Sequence, residues 1–166
     1  MRLLHLGWED VDKLCHRLAL KIRRANFRPD VMVAVSRGGF PVARILCDEL
    51  GISRLASLQV EYYLAPGKTR KKPKLIYPLN ANVRGKKVLV VDDVADRGES
   101  LRVAEEHVRK KGAKEVKTAT LHYKPWSVKI PDFYLQEVRS WIVYPWEKRE
   151  TARQLAKSKN TLLRRS

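Results

Sequence analysis

The chain has 166 residues, 44% hydrophobic and 32% charged, with 35 Lys and Arg against 18 Asp and Glu for a net charge of +17. That length suits one domain of roughly 150 residues with a core of its own, which excludes a disordered chain or a disulfide-stapled miniprotein. The positive excess asks for anionic partners such as phosphates or nucleic acid, and no run approaches the roughly 18 apolar residues of a membrane span.

Trp8, Val11, Leu14, Leu18 and Ile22 recur at helical spacing, with Glu9 and Asp10 in the first turn and Arg23 and Arg24 in the last. They predict an amphipathic helix whose charges suit its dipole. After Pro29-Asp30, Val31 to Val35 is a continuous apolar run and reads as a buried strand. Ser36-Arg37-Gly38-Gly39 is a turn, and Pro41 to Leu50 a helix closed by Gly51. Leu55 to Val60 is a second strand. The stretch from Glu61 to Leu79 has three prolines and the cations Lys68, Arg70, Lys71, Lys72 and Lys74, and reads as a mobile loop or an extended β-arm. Val88 to Val91 is another buried strand, and Gly98 opens a helix to Lys111 that Gly112 stops. Val116 to His122 reads as a strand, Phe133 to Leu135 and Trp141 to Tyr144 as short strands, and Thr151 to Ser158 as a terminal helix.

Strands alternating with helices predict an α/β fold: a mostly parallel central sheet flanked by helices, in a single domain over residues 1–166. Cys15 and Cys47 sit in apolar helical patterns without metal or disulfide spacing, so they are expected as buried core thiols. The N-terminus has no apolar signal core, and the expected location is the cytoplasm.

The most specific signal is Val88 to Ser100. Four apolar residues end in Asp92-Asp93, Val94-Ala95 follow, and Asp96-Arg97-Gly98-Glu99-Ser100 enters a helix. A loop entering a helix N-terminus presents unpaired N–H groups that suit a phosphate. Gly98 lets the backbone come close. The Ser100 hydroxyl can donate to a phosphate oxygen or cap the helix. Adjacent carboxylates at a strand end suit the vicinal hydroxyls of a ribose, or Mg²⁺. Three Asp residues within five positions repel one another unless such a partner is present. The Walker and dinucleotide glycine patterns are both absent.

This segment resembles the ribose-phosphate signature of the type I phosphoribosyltransferases. Val33 to Gly39 is similar to their pyrophosphate loop. Thr120 to Pro125 and Trp141 to Glu147 are similar to the base-reading and purine-stacking segments of the 6-oxopurine branch. The order of these segments matches the family and gives weight to Lys124 and Trp141, which singly are ordinary residues. The resemblance implies a fold with a small hood and a mobile loop, Mg²⁺ as cofactor, and a homodimer or homotetramer. It implies transfer of 5-phosphoribose from 5-phosphoribosyl 1-pyrophosphate to a purine.

By the same resemblance, Ser36, Arg37 and Gly38 would bind pyrophosphate, with a cis peptide between Ser36 and Arg37. Asp92 and Asp93 would hold the ribose hydroxyls, with Val94 and Ala95 in the same stretch. Asp96 would handle the purine proton. Asp96, Arg97, Gly98, Glu99 and Ser100 would wrap the 5′-phosphate. Lys124 would donate to the 6-oxo group, Trp141 would stack on the base, and Ile142 would read its edge through the backbone. Asp93 and Glu147 would lie at the metal. Arg97 stands where the family usually has Thr, and Glu99 where it often has Lys or Gly. The basic loop from Lys68 to Lys74 would close over the site. Two alternatives stay open: an enzyme for another base such as adenine, and an RNA-binding regulator with the same fold.

Overall fold

In the computed structural model, which describes residues 3–63 and 71–163, a short strand β1 (Leu3–His5) leads into α1 (Trp8–Arg24). The helix buries Val11, Cys15, Leu18, Ala19 and Ile22, and its acidic first turn and basic last turn oppose the ends of its dipole. β2 (Val31–Ser36) follows, then α2 (Gly39–Leu50), which Gly51 closes at φ 67°. β3 (Leu55–Tyr63) and β4 (Lys72–Tyr77) come next. β5 (Lys87–Val91), the short β6 (Val94–Ala95) and α3 (Glu99–Lys110) form the middle of the chain. β7 (Glu115–Ala119), β8 (His122–Tyr123), β9 (Gln136–Glu137), β10 (Trp141–Val143) and α4 (Lys148–Leu163) complete it.

The main sheet has the order β4-β3-β2-β5-β7. All its pairings are parallel except β4 on β3. The continuous apolar runs of β2 and β5 are explained by burial on both faces. Met32, Ala34, Leu89 and Val91 pack under α1 and α2. Val31, Val33, Val35, Val88 and Val90 pack against Leu101, Ala104 and Val108 of α3. Each Val, Leu or Met among these contributes about 1.5–3 kcal/mol of apolar burial. A second sheet, β6-β8-β9, is parallel, and β1 pairs with β10 in a separate two-stranded hood.

Several boundaries differ from the periodicity. The run predicted as one strand over Val116–His122 is divided between two sheets. Its chain leaves the main sheet after Ala119, where Thr120 N donates to Phe133 O at 3.0 Å and Leu121 N to Asp93 O at 3.1 Å. The strand expected at Phe133–Leu135 is reduced to a bridge from Phe133 to Ala119, with β9 just beyond it. β1 carried no detectable pattern, being three residues long. The described parts of the Glu61–Leu79 stretch pair as an antiparallel arm, with β3 running on to Tyr63 and β4 returning along it. Of the basic loop, Lys68 and Arg70 lie outside the described residues. Both cysteines are buried and free. Burial pushes the Cys15 thiol up to about 12. Among the described residues no helix is long and apolar enough to cross a membrane.

Candidate active site

Parallel sheets present ligand sites at the carboxyl ends of their strands. β2 ends at Ser36 and β5 runs out into Asp92-Asp93, and their register pairs Ala34 with Val91. The two exits therefore lie side by side. The approach is too close for side chains at the turn: a Cβ on Gly38 would sit 2.3 Å from Asp93 Oδ2, and one on Gly39 2.3 Å from the Val91 carbonyl oxygen. The Ser36–Arg37 peptide is cis, as expected. Arg37 extends from the turn to Glu150 at the start of α4, Nη2 to Oε2 at 3.0 Å.

Three cavities meet here. The first, of about 830 Å³, is lined by Ser36, Arg37, Gly38, Tyr62, Trp146, Glu147 and Glu150, among others. The second, about 320 Å³, lies at the N-terminus of α3 and is lined by Asp92, Val94, Ala95, Asp96, Arg97, Gly98 and Ser100, with Tyr62 and Lys71 reaching in from the β3–β4 arm. Gly98 adopts φ 75°, and a Cβ there would strike Ser127 Oγ at 2.2 Å and Lys129 N at 2.6 Å. Only glycine serves this turn on both counts. The N-cap of α3 is Gly98, which has no side chain to cap the helix with, so this N-terminus suits an anion. The third cavity, about 150 Å³, is lined by Val94, Asp96, Lys124, Trp141, Ile142, Tyr144 and Glu147. Asp96 and Val94 border both the second and the third, and Glu147 both the first and the third.

The carboxylates crowd one another. Burial, then the neighbouring Asp93, hold the Asp92 carboxyl well above the usual range, although the Asp93 N–H donates to Asp92 Oδ1 at 2.9 Å. Burial also raises Asp93, opposed by N–H donation from Val94 to Oδ1 at 2.7 Å and from Trp146 Nε1 to Oδ2 at 3.3 Å. Burial, Asp93 and Glu150 push Glu147 up to about 7, while Arg37 opposes them. Among the described residues no group of three acids, His or Cys forms a metal cage. Adjacent, mutually repelling carboxylates at Asp93 and Glu147 instead fit Mg²⁺, which takes one or two protein carboxylates and completes its shell with water and phosphate oxygens.

Residues 7–151 match the phosphoribosyl transferase domain family. The chain belongs to that family.

A curated relative, the xanthine-guanine phosphoribosyltransferase of Gluconobacter oxydans (strain 621H), is 30% identical over 142 residues, covering 84% of this chain and 82% of the relative. The purine phosphoribosyltransferase from Pyrococcus horikoshii Ot3 superposes with a TM-score of 0.80 at 40% identity, over 89% of this chain and 95% of that one. A hypothetical protein from Neisseria gonorrhoeae, solved with bound ppGpp, also gives a TM-score of 0.80, at 29% identity over 95% of this chain and 97% of that one.

Within this phosphoribosyltransferase the sequence-predicted residues gather around the three cavities, with two exceptions. Asp93 is buried and lines none of them, although Trp146, which lines the first, donates to it. Glu99, the first residue of α3, is not among those lining the phosphate-sized cavity, whereas Arg97 is. Lys124 is 6% exposed, and its Nζ donates to the Ser140 carbonyl. Burial lowers its pKa and Asp96 opposes that shift. Trp141, 46% exposed, lines the third cavity.

Sequence reasoning missed the residues that steady the acids. Trp146 donates to Asp93 and stacks on Tyr144, with ring centroids 4.9 Å apart. The Tyr144 hydroxyl donates to the Asp93 carbonyl oxygen at 3.0 Å and meets His122 Nδ1 at 2.9 Å. With the hydroxyl proton on Asp93, His122 Nδ1 must itself donate. That agrees with a neutral ring, since burial, then Lys124, lower its pKa to about 4. Buried Tyr and Trp in a polar segment usually have a partner for their O–H or N–H. That was the available signal. Trp126 and Glu150 had none.

Proposed function

We propose that this phosphoribosyltransferase moves 5-phosphoribose from 5-phosphoribosyl 1-pyrophosphate to a ring nitrogen of a 6-oxopurine, releasing pyrophosphate and a nucleoside monophosphate in purine salvage. The observation that carries the reading is Asp96, which borders the phosphate-sized cavity on one side and the Lys124–Trp141 cavity on the other. A sugar phosphate seated on the α3 N-terminus would present its anomeric carbon toward the second of these.

The residues divide the work. Backbone N–H groups of residues 97–100, with Ser100 and Arg97, take the 5′-phosphate. Asp92 and Asp93 accept hydrogen bonds from the ribose hydroxyls. The Ser36–Gly38 turn and Arg37 face the pyrophosphate. Lys124 donates to the 6-oxo oxygen, Trp141 stacks on the ring, and the Ile142 backbone meets the next edge. Lys124 keeps a fixed hydrogen bond to Ser140 O, so its donor geometry is set before a base arrives. Asp93 and Glu147 would hold Mg²⁺, which when bound neutralises charge on the pyrophosphate. The C1–O bond to pyrophosphate breaks as the C1–N bond to the purine forms. The purine N–H proton goes to the Asp96 carboxylate. Positioning and charge supply the catalysis, and no side chain needs to act as a nucleophile.

The test is Mg²⁺-dependent pyrophosphate release with hypoxanthine, guanine, xanthine and adenine offered in turn. The expected outcome is release with at least one 6-oxopurine and none with adenine. Release with adenine alone would overturn the role of Lys124. No release with any base would favour an anion-binding module, to which the net charge of +17 also points.

A further inference from the structure

We propose that Trp126 is a positioning residue for the transfer step, holding the Asp96 carboxylate in the orientation that receives the purine proton; the inference rests on the role proposed for Asp96. Trp126 Nε1 donates to Asp96 Oδ1 at 3.1 Å. Among the described residues no other group donates a hydrogen bond to that side chain. The same indole lies 5.8 Å, ring centroid to Nζ, from Lys124. That is within the range of a cation–π contact. One side chain thus touches both the assigned proton acceptor and the lysine assigned to the 6-oxo group.

The indole is itself held. Lys124 N donates to Ala95 O at 3.0 Å, and Val128 N to Arg97 O at 2.9 Å, so the loop carrying Trp126 is stitched to both sides of Asp96. Ser127 and Lys129 pack against Gly98 with no space for a Cβ. Lys129 Nζ is anchored to Glu105 Oε2 at 2.6 Å. A core role does not account for Trp126, because the residue is 54% exposed. A large ring left half in water by a pinned loop is better explained by what its N–H reaches. A carboxylate held by one N–H keeps one oxygen fixed and leaves the other free to accept a proton. An unheld Asp side chain would sample other rotamers and face the base only part of the time.

Trp126→Phe removes the N–H and keeps an aromatic ring beside Lys124. It should lower kcat about tenfold, near 1.4 kcal/mol of barrier. The KM for 5-phosphoribosyl 1-pyrophosphate should stay at the parental value. Trp126→His, which restores an N–H, should recover part of the loss. On an Asp96→Ala background Trp126→Phe should have no further effect, since the two residues act as a unit. A parental kcat in Trp126→Phe overturns the inference. So does a tenfold loss that persists on the Asp96→Ala background, or equal losses in the Phe and His variants. The proposed function is tested separately: Asp96→Ala at parental turnover would sink the role of Asp96 itself, whereas a slow Asp96→Ala beside a parental Trp126→Phe sinks only the role of Trp126.

Discussion

At Glu147 two influences compete. Burial, Asp93 and Glu150 favour the protonated carboxyl, Arg37 favours the ionised one, and the balance lifts the group from 4.5 to about 7. A carboxyl whose pKa is higher in the folded state binds its proton more tightly there than in the unfolded chain. Its contribution to stability is therefore present at low pH and is lost as pH rises from 4.5 through about 7. Glu147→Gln removes the charge that the fold resists. In metal-free buffer the Tm of this variant should match the parent near about pH 5 and exceed it near about pH 8, at about 2–4 °C per kcal/mol for a chain of this size. Differential scanning fluorimetry at both pH values checks this, and a gap equal at both would mean that packing rather than charge is responsible. For Asp96, replacement by Asn should cut kcat by about 10²–10⁴-fold, the usual range for a lost proton acceptor. Steady-state kinetics with a parental kcat would remove it from that role. Asp92, Asp93 and Asp96 were legible in the sequence because they lie within five consecutive positions. The tryptophan that steadies Asp93 was not, because their contact spans 53 residues and no local pattern records it.

The elements were legible where burial is two-sided or periodic. β2 and β5 announced themselves as continuous apolar runs, α1 as a helical stripe, and all three proved correct within a residue or so. The Val116–His122 run misled for a physical reason. It is buried from Thr118 to His122, but Thr120 and Leu121 hand their N–H groups to Phe133 and Asp93 rather than to β5, so one run serves two sheets. The Gly38-Gly39 pair looked like an ordinary turn. Its actual task is to let α2 start almost in contact with the end of β5. Gly39→Ala places a Cβ 2.3 Å from a backbone oxygen that cannot rotate away. The expected cost is about 1–3 kcal/mol in urea unfolding, with loss of turnover as the Ser36 turn is pushed from Asp93. Gly51→Ala is the control. It keeps an unfavourable φ of 67° but meets nothing within 4 Å. It should lose about 1–2 kcal/mol and keep its activity.

Composition gave the total charge of the molecule but not its distribution, and the distribution decides what the charge does. Asp92, Asp96, Glu147 and Glu150 line the site at the carboxyl ends of the strands, with Asp93 buried beside Trp146 and Glu147. Many cations gather at the other end of the sheet. There Lys114 N donates to Lys86 O at 2.8 Å and Gly85 N to Gly112 O at 2.8 Å, bringing Arg84, Lys86, Lys110, Lys111 and Lys114 into adjacent loops. A strand of about five residues separates the two ends by about 17 Å. That is about twice the Debye length of about 8 Å at physiological salt, so the far cluster is screened from the site there and reaches it at low salt. The substrate 5-phosphoribosyl 1-pyrophosphate is multiply charged, whereas hypoxanthine and guanine are neutral. Its KM should therefore rise when ionic strength goes from about 0.01 M to about 0.15 M, with the KM for either base unchanged. Lys110→Glu with Lys111→Glu should reduce this dependence at low salt and leave the KM at about 0.15 M as in the parent. Initial-rate measurements at both ionic strengths decide it. If the double variant raised the KM equally at both, a direct contact between that cluster and the substrate would have to replace steering by the field of the whole molecule.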